Sequence, residues 1–333
     1  MTSKLRNGSW FGRRATLAWL IPFGAAVACS AGTPPPQEPD PALGGGDANS
    51  EPDEVLPASS SDVQKGIDAI QREDFEEARR VLSAAHAADP KDPQAAFYLG
   101  VSLEALEETD AALDAYRQAL AADASLVEAA VNASALLLEK KQDAAAALEV
   151  AEQGLRAAPN NAALLMNRAL GLEALGRGEA ALDAYEKAVA AAPENHELRY
   201  AYAELLVGAN KTERAKAELE KLANVAELRG AVANLFGRAG DFKGCLRVLD
   251  AALADAPTAD LYVRRGACKH GAGDDSGAKA DYEKAIELDA SFAPAHYYLG
   301  MHLKEAGNKK LAIASLQKAA ELAPDTGLGK RAR

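Results

Sequence analysis

The chain is poor in the residues from which β-rich cores and catalytic centres are built. Aromatic residues make up 5 % of it, a level that suits helices packed through alanine rather than a β-rich core. The three cysteines, Cys29, Cys245 and Cys268, are not spaced as a metal or disulfide framework. The five histidines are His86, His196, His270, His296 and His302, and no two stand at the i, i+4 spacing that puts two imidazoles on one helical face for a metal. No nucleophile motif, phosphate loop or acid pair of fixed spacing is present, so no catalytic residue, metal ligand or cofactor is expected. Basic charge is also short. The 37 basic residues face 49 acidic ones, a net charge of −12 that argues against a nucleic-acid partner.

What the chain does have is a repeat. Ala162 to Asn195 reads as two helical patterns either side of Gly176-Arg177-Gly178. Leu165, Ala169 and Leu172 share one face of the first, and Ala181, Tyr185 and Ala188 one face of the second. Pro193 stops the second helix, because it clashes with the preceding turn and donates no hydrogen bond. Such a hairpin is too small to bury both apolar faces alone and needs neighbours of its own kind.

The neighbours are there. The small residue that opens the second helix recurs as Ala78, Ala112, Ala147, Ala181, Ala215, Cys245, Ala278 and Ala312, at intervals of 34, 35, 34, 34, 30, 33 and 34 residues. A small position in the first helix recurs in phase as Gly66, Gly100, Ser134, Ala169, Ala203, Ala233, Gly266 and Gly300. A third follows as Ala85, Ala119, Gly154, Ala188, Leu222, Ala252, Ala285 and Ala319. The usually larger residue in the second helix is Leu82, Tyr116, Ala151, Tyr185, Leu219, Leu249, Tyr282 and Leu316. Small residues let helix axes approach closely, and the large one fills the space between them. Gly176, Gly240, Gly273 and Gly307 end first helices. Pro90, Pro159, Pro193, Pro257 and Pro324 end second helices.

This pattern resembles the tetratricopeptide repeat. The resemblance implies an all-α fold, a right-handed α-solenoid of about eight helix-turn-helix repeats. The array spans 59–326, divided as 59–92, 93–126, 127–161, 162–195, 196–225, 226–258, 259–292 and 293–326. In the third repeat, Glu139 to Asp143 carries one extra residue, expected in a surface turn. The fifth repeat is four residues short and lacks a closing proline, so a change of stacking is expected around 220–230. Residues 327–333 read as a solvated basic tail with no capping helix. Cys245 sits at the small core position, where burial explains it, and whether it bonds Cys268 of the next repeat in an oxidising compartment is left open, because sequence gives no distance.

The N-terminal segment differs in kind. Lys4, Arg6, Arg13 and Arg14 precede a mostly apolar run, Ala15 to Ala28, that is too short to span a bilayer comfortably. It ends in Ala26-Val27-Ala28-Cys29, which resembles the bacterial lipoprotein box, with Ala26 where that box usually has Leu. The resemblance implies a signal peptide over 1–28 and acylation of Cys29, with Ser30 rather than Asp after it favouring the outer membrane, facing the periplasm. Loss of 1–28 takes the net charge from −12 to −16. Residues 29–58 then form a tether. Between 30 and 58 lie seven prolines, four glycines and six acids with no Lys or Arg, a composition that buries no core. It reaches ~30 Å as a coil and up to ~90 Å stretched.

With no chemistry in view, function rests on binding. In the tetratricopeptide family the first helices line a concave groove, and transfer of its groove positions selects Phe97, Tyr98, Asn132, Met166, Asn167, Tyr200, Asn234, Arg264, Tyr297 and Tyr298. Asn132 and Asn167 occupy one place in successive repeats, where an amide can both donate to and accept from a peptide backbone. The expected role is a non-catalytic, lipid-anchored interaction scaffold or assembly factor in the bacterial cell envelope. It holds a protein or peptide partner in the groove and the membrane through Cys29. The alternative is a regulatory or docking subunit of an envelope enzyme complex.

Overall fold

The computed structural model describes residues 58–333. The signal-like segment, Cys29 and the tether lie outside the described residues. Every regular element among the described residues is helical, and these helices fall into two compact units, up to Leu175 and from Gly176 onward. The division falls inside the repeat 162–195.

The first unit contains α1 (Ala58–Gln71), α2 (Phe75–Ala88), α3 (Pro93–Ala105), α4 (Thr109–Ala122), α5 (Val127–Leu136), α6 (Ala144–Ala157) and α7 (Ala162–Ala174). Within this unit each helix packs on the next in sequence, from α1 on α2 through α6 on α7. The second unit contains α8 (Gly178–Ala191), α9 (His196–Gly208), α10 (Thr212–Leu222), α11 (Arg229–Arg238), α12 (Phe242–Asp255), α13 (Ala259–Gly271), α14 (Asp275–Leu288), α15 (Ala293–Glu305), α16 (Lys309–Leu322) and α17 (Gly327–Ala332). Here the first helices also touch one another in sequence, α9 to α11, α11 to α13, α13 to α15 and α15 to α17. They form a continuous wall.

The repeating positions are the core. All eight residues of each of the three small-residue series are buried. So are the large residues Leu82, Tyr116, Tyr185, Leu219, Leu249 and Tyr282 and the smaller Ala151, while Leu316 in the last hairpin is half-buried. Leu222, which breaks the small-residue rule, is buried without exposure at the end of the short α10.

The turns within the hairpins share one device. Gly176, Gly240, Gly273 and Gly307 take positive φ of 71°, 76°, 85° and 80°, and Glu73, Glu107, Gln142 and Asn210 take φ of 59°, 60°, 54° and 57° at the equivalent place. A left-handed residue there lets the last carbonyls of the first helix find partners. Aspartates then cap second helices: Asp74, Asp143, Asp241 and Asp274 accept from the backbone N–H three residues on.

Two local features differ from expectation, and a third irregularity falls where the short fifth repeat placed it. The extra residue in the third repeat is not a loop insertion, because it widens the end of α5 into a π-helical turn over Leu137–Lys141. Leu137 and Leu138 are both buried, so the helix bulges to keep both in the core. The short fifth repeat ends in α10 with eleven residues, followed by a 3₁₀ turn over Ala226–Leu228 and the ten-residue α11. The basic tail is a short helix, α17, capped by the Thr326 hydroxyl and lying against α15 and α16 with Gly329 and Ala332 buried. Glycine makes that contact possible, since a Cβ at Gly329 would meet the Ala323 carbonyl oxygen.

Cys245 of α12 and Cys268 of α13 form a disulfide with a Cα–Cα distance of 6.3 Å. No helix among the described residues is long and apolar enough to cross a membrane.

Candidate partner-binding groove

The wall of first helices in the second unit carries a cavity of about 530 Å³. Asn234 and Arg238 of α11, Asp260, Val263 and Arg264 of α13, Pro294 and Tyr298 of α15 and Leu328 of α17 line it, together with Phe242 and Leu249 of α12. Three of the residues selected from sequence, Asn234, Arg264 and Tyr298, therefore meet in one depression on three successive first helices. Asn234 is exposed, and Tyr298 is 40 % exposed.

Arg264 and Tyr298 are held from behind. Arg264 donates from Nε to Asp260 Oδ2 at 2.6 Å and from Nη1 to the Gly230 carbonyl at 3.3 Å, which fixes its guanidinium across α13 and the start of α11. Tyr298 stacks on Tyr282 with ring centroids 6.0 Å apart. Burial pushes the Tyr282 hydroxyl well above the ordinary tyrosine range, so it stays a neutral platform. Next to Arg264 in sequence, Arg265 forms a two-pronged pair with Asp281 at 2.8 and 2.7 Å, and Lys269 adds a contact to Asp281 at 2.9 Å. Asp281 is buried, and this pairing ties α13 to α14. The groove thus offers an aromatic face, an amide and a mixed-charge edge on a fixed base. That set is able to hold a polar backbone and an apolar side chain together.

The other selected residues lie elsewhere. Tyr297 meets Tyr298 edge to face at 5.6 Å, and Tyr200 is half-buried against the core around Leu219 and Phe236. In the first unit Phe97 packs against Tyr98 and Tyr116, with ring centroids 5.0 and 6.0 Å away. Tyr98 is half-buried, and that burial, with Glu128 nearby, raises its pKa. Asn132 donates to the Tyr116 hydroxyl at 3.3 Å, and that hydroxyl donates to Glu104 at 2.6 Å. Met166 is half-buried. Asn167 is 7 % exposed and spends both amide hydrogens inside the protein, on the Val131 carbonyl at 3.1 Å and Ser134 Oγ at 2.8 Å. Its expected equivalence with Asn132 fails for a physical reason. The third repeat carries Ser134 at the small position, and its hydroxyl gives Asn167 a partner across the helix pair.

Arg238, Asp260, Val263, Pro294 and Leu328 line the groove but were not selected from the sequence. Asp260 stands one helical turn before Arg264, a spacing that marks an ion pair. Leu328 was hidden because 327–333 read as a tail.

Helical hairpins stacked in register, with an open row of first helices, define a repeat protein organised around a binding surface. The chain belongs to the tetratricopeptide repeat family: a model of that repeat matches residues 63–126, 132–196 and 271–325, and a second tetratricopeptide model matches 172–238. Members of the family are generally non-catalytic interaction scaffolds that bind protein or peptide partners. No curated protein matches the chain. Among solved structures it is similar to a tetratricopeptide repeat protein from Parabacteroides merdae, at 19 % identity over 74 % of this chain and 98 % of that one, with a TM-score of 0.49. It is also similar to PilF of Pseudomonas aeruginosa, at 18 % identity over 72 % and 96 % of the two chains and a TM-score of 0.47. A double mutant of MamA RS-1 matches at 23 % identity over 50 % and 94 %, with a TM-score of 0.46.

Proposed function

We propose that the chain is a lipid-anchored interaction scaffold of the bacterial cell envelope. Residues 1–28 direct export, Cys29 carries the acyl anchor, and the segment up to 58 lets the repeat body stand off an outer membrane on its periplasmic side. The body performs no chemistry of its own. It holds an extended segment of a partner protein in the groove formed by Asn234, Arg264 and Tyr298, with Phe97, Tyr98 and Asn132 as a second aromatic and amide surface in the first unit. The observation that carries this reading is the convergence of Asn234, Arg264 and Tyr298 on one cavity. The buried Cys245–Cys268 disulfide supports export, because such bonds persist in oxidising compartments. Several acyl chains on one cysteine supply the anchoring that a single chain lacks. Cys29→Ser releases the protein from the membrane fraction; unchanged sedimentation with membranes contradicts the anchor.

A further inference from the structure

The far ends of α13 and α15 bring together residues that a scan for local spacing passes over. One ring nitrogen each of His270 and His302 and a carboxylate oxygen of Asp275 lie within 4.8 Å of one another. His270 is flanked on both edges, with Nδ1 2.7 Å from Asp275 Oδ1 and Nε2 3.2 Å from Glu305 Oε2. The two imidazoles meet edge to face at 5.9 Å. We propose that His270, His302 and Asp275, with Glu305 beside them, form a binding site for a divalent transition-metal ion, with zinc as the prime occupant.

Five features favour a cation here. Two neutral imidazoles and a carboxylate are borderline ligands that suit zinc and reject magnesium, which asks for an all-oxygen octahedron. His302 has its Nδ1 buried with no hydrogen-bond partner, a costly state that ring ligation or a ring flip toward a cation relieves. His270 and His302 lie in the last turns of α13 and α15, so two negative helix ends meet the spot against the one positive end of α14 at Asp275. The nearest ammonium on α13, Lys269, is already engaged by Asp281. The side chains of His270, Asp275 and Glu305 are 44 %, 66 % and 56 % exposed, so an ion in solution reaches them. A bound ion takes one nitrogen from each ring and an oxygen from Asp275, with water completing its shell, while Glu305 on the other edge of the His270 ring holds that imidazole in place. The ion thereby clamps α13, α14 and α15 at the turn ends of two successive hairpins.

The test uses the tag-free full chain, stripped with EDTA and titrated with zinc chloride by calorimetry, alongside thermal melts. The site predicts one saturable zinc per chain, a rise in melting temperature reversed by EDTA, and no response to magnesium at the same concentration. His270→Gln and Asp275→Asn change exposed side chains, so their circular dichroism matches wild type while each weakens zinc binding by at least about tenfold. Absence of saturable zinc binding overturns the site. Undiminished affinity in the His270→Gln/Asp275→Asn double variant overturns it equally, since the zinc then binds elsewhere.

Discussion

Gly100 faces Tyr116 so closely that a Cβ at Gly100 would stand 2.6 Å from the tyrosine ring. The same opposition recurs at Gly66 with Leu82, Gly266 with Tyr282 and Gly300 with Leu316, each pair sixteen residues apart. The hairpin closes because one helix surrenders a side chain where the other supplies a large one. Gly100→Ala therefore destabilises the fold by about 1–3 kcal/mol through overpacking, although alanine is the better helix former. Denaturant unfolding measures it, and a stabilised variant would contradict the packing.

That pairing explains why so much of the fold is legible in the sequence. A small residue and a large one at fixed separation in several repeats state both the helix phase and the partner face, and burial at these positions agrees. The π-turn at Leu137–Lys141 was not legible, because choosing between a loop and a widened helix depends on whether Leu137 and Leu138 both reach the core. The fate of Asn167 depended on Ser134, a partner 33 residues away whose hydroxyl carries no local signal. The histidine cluster is likewise cross-repeat: His270 and His302 are 32 residues apart, nearly one repeat, so a search confined to one helix face misses them.

Glu107 occupies with φ 60° the turn position that glycine holds in four other hairpins. A left-handed conformation costs an L-residue roughly 1–2 kcal/mol, and glycine's greater freedom in the unfolded chain returns part of that. Glu107→Gly stabilises by about 0.5–1 kcal/mol, read as a higher melting temperature.

Cys245 and Cys268 close a loop of 23 residues' separation between α12 and α13. Chain-entropy arguments give such a link about 3 kcal/mol. Wild type melts at a lower temperature in strong reductant, and Cys245→Ala/Cys268→Ala melts there already and is indifferent to reductant.

Acid loosens the repeats through their turns. Asp274 accepts from the Gly277 backbone and the Ser276 hydroxyl, and Asp123 and Asp289 accept from Ser125 and Ser291; these bonds hold all three carboxyls below the ordinary value of 3.8. The lowered pKa means that the folded state favours the carboxylate. The contribution is complete above 3.8 and is lost as pH falls through the lowered values. Melting temperature falls as pH drops below about 4, and Asp123→Asn/Asp274→Asn/Asp289→Asn shows a shallower fall.

The groove is tested most directly by quantitative mass spectrometry of proteins retained from solubilised membranes by the immobilised full-length chain. Wild type is set beside Asn234→Ala/Tyr298→Ala, which strips the cavity, and Asn167→Ala, which removes only an internal hydrogen bond. The account predicts a protein partner held by wild type and by Asn167→Ala but depleted about tenfold or more by the groove variant. Equal retention by the groove variant would contradict it.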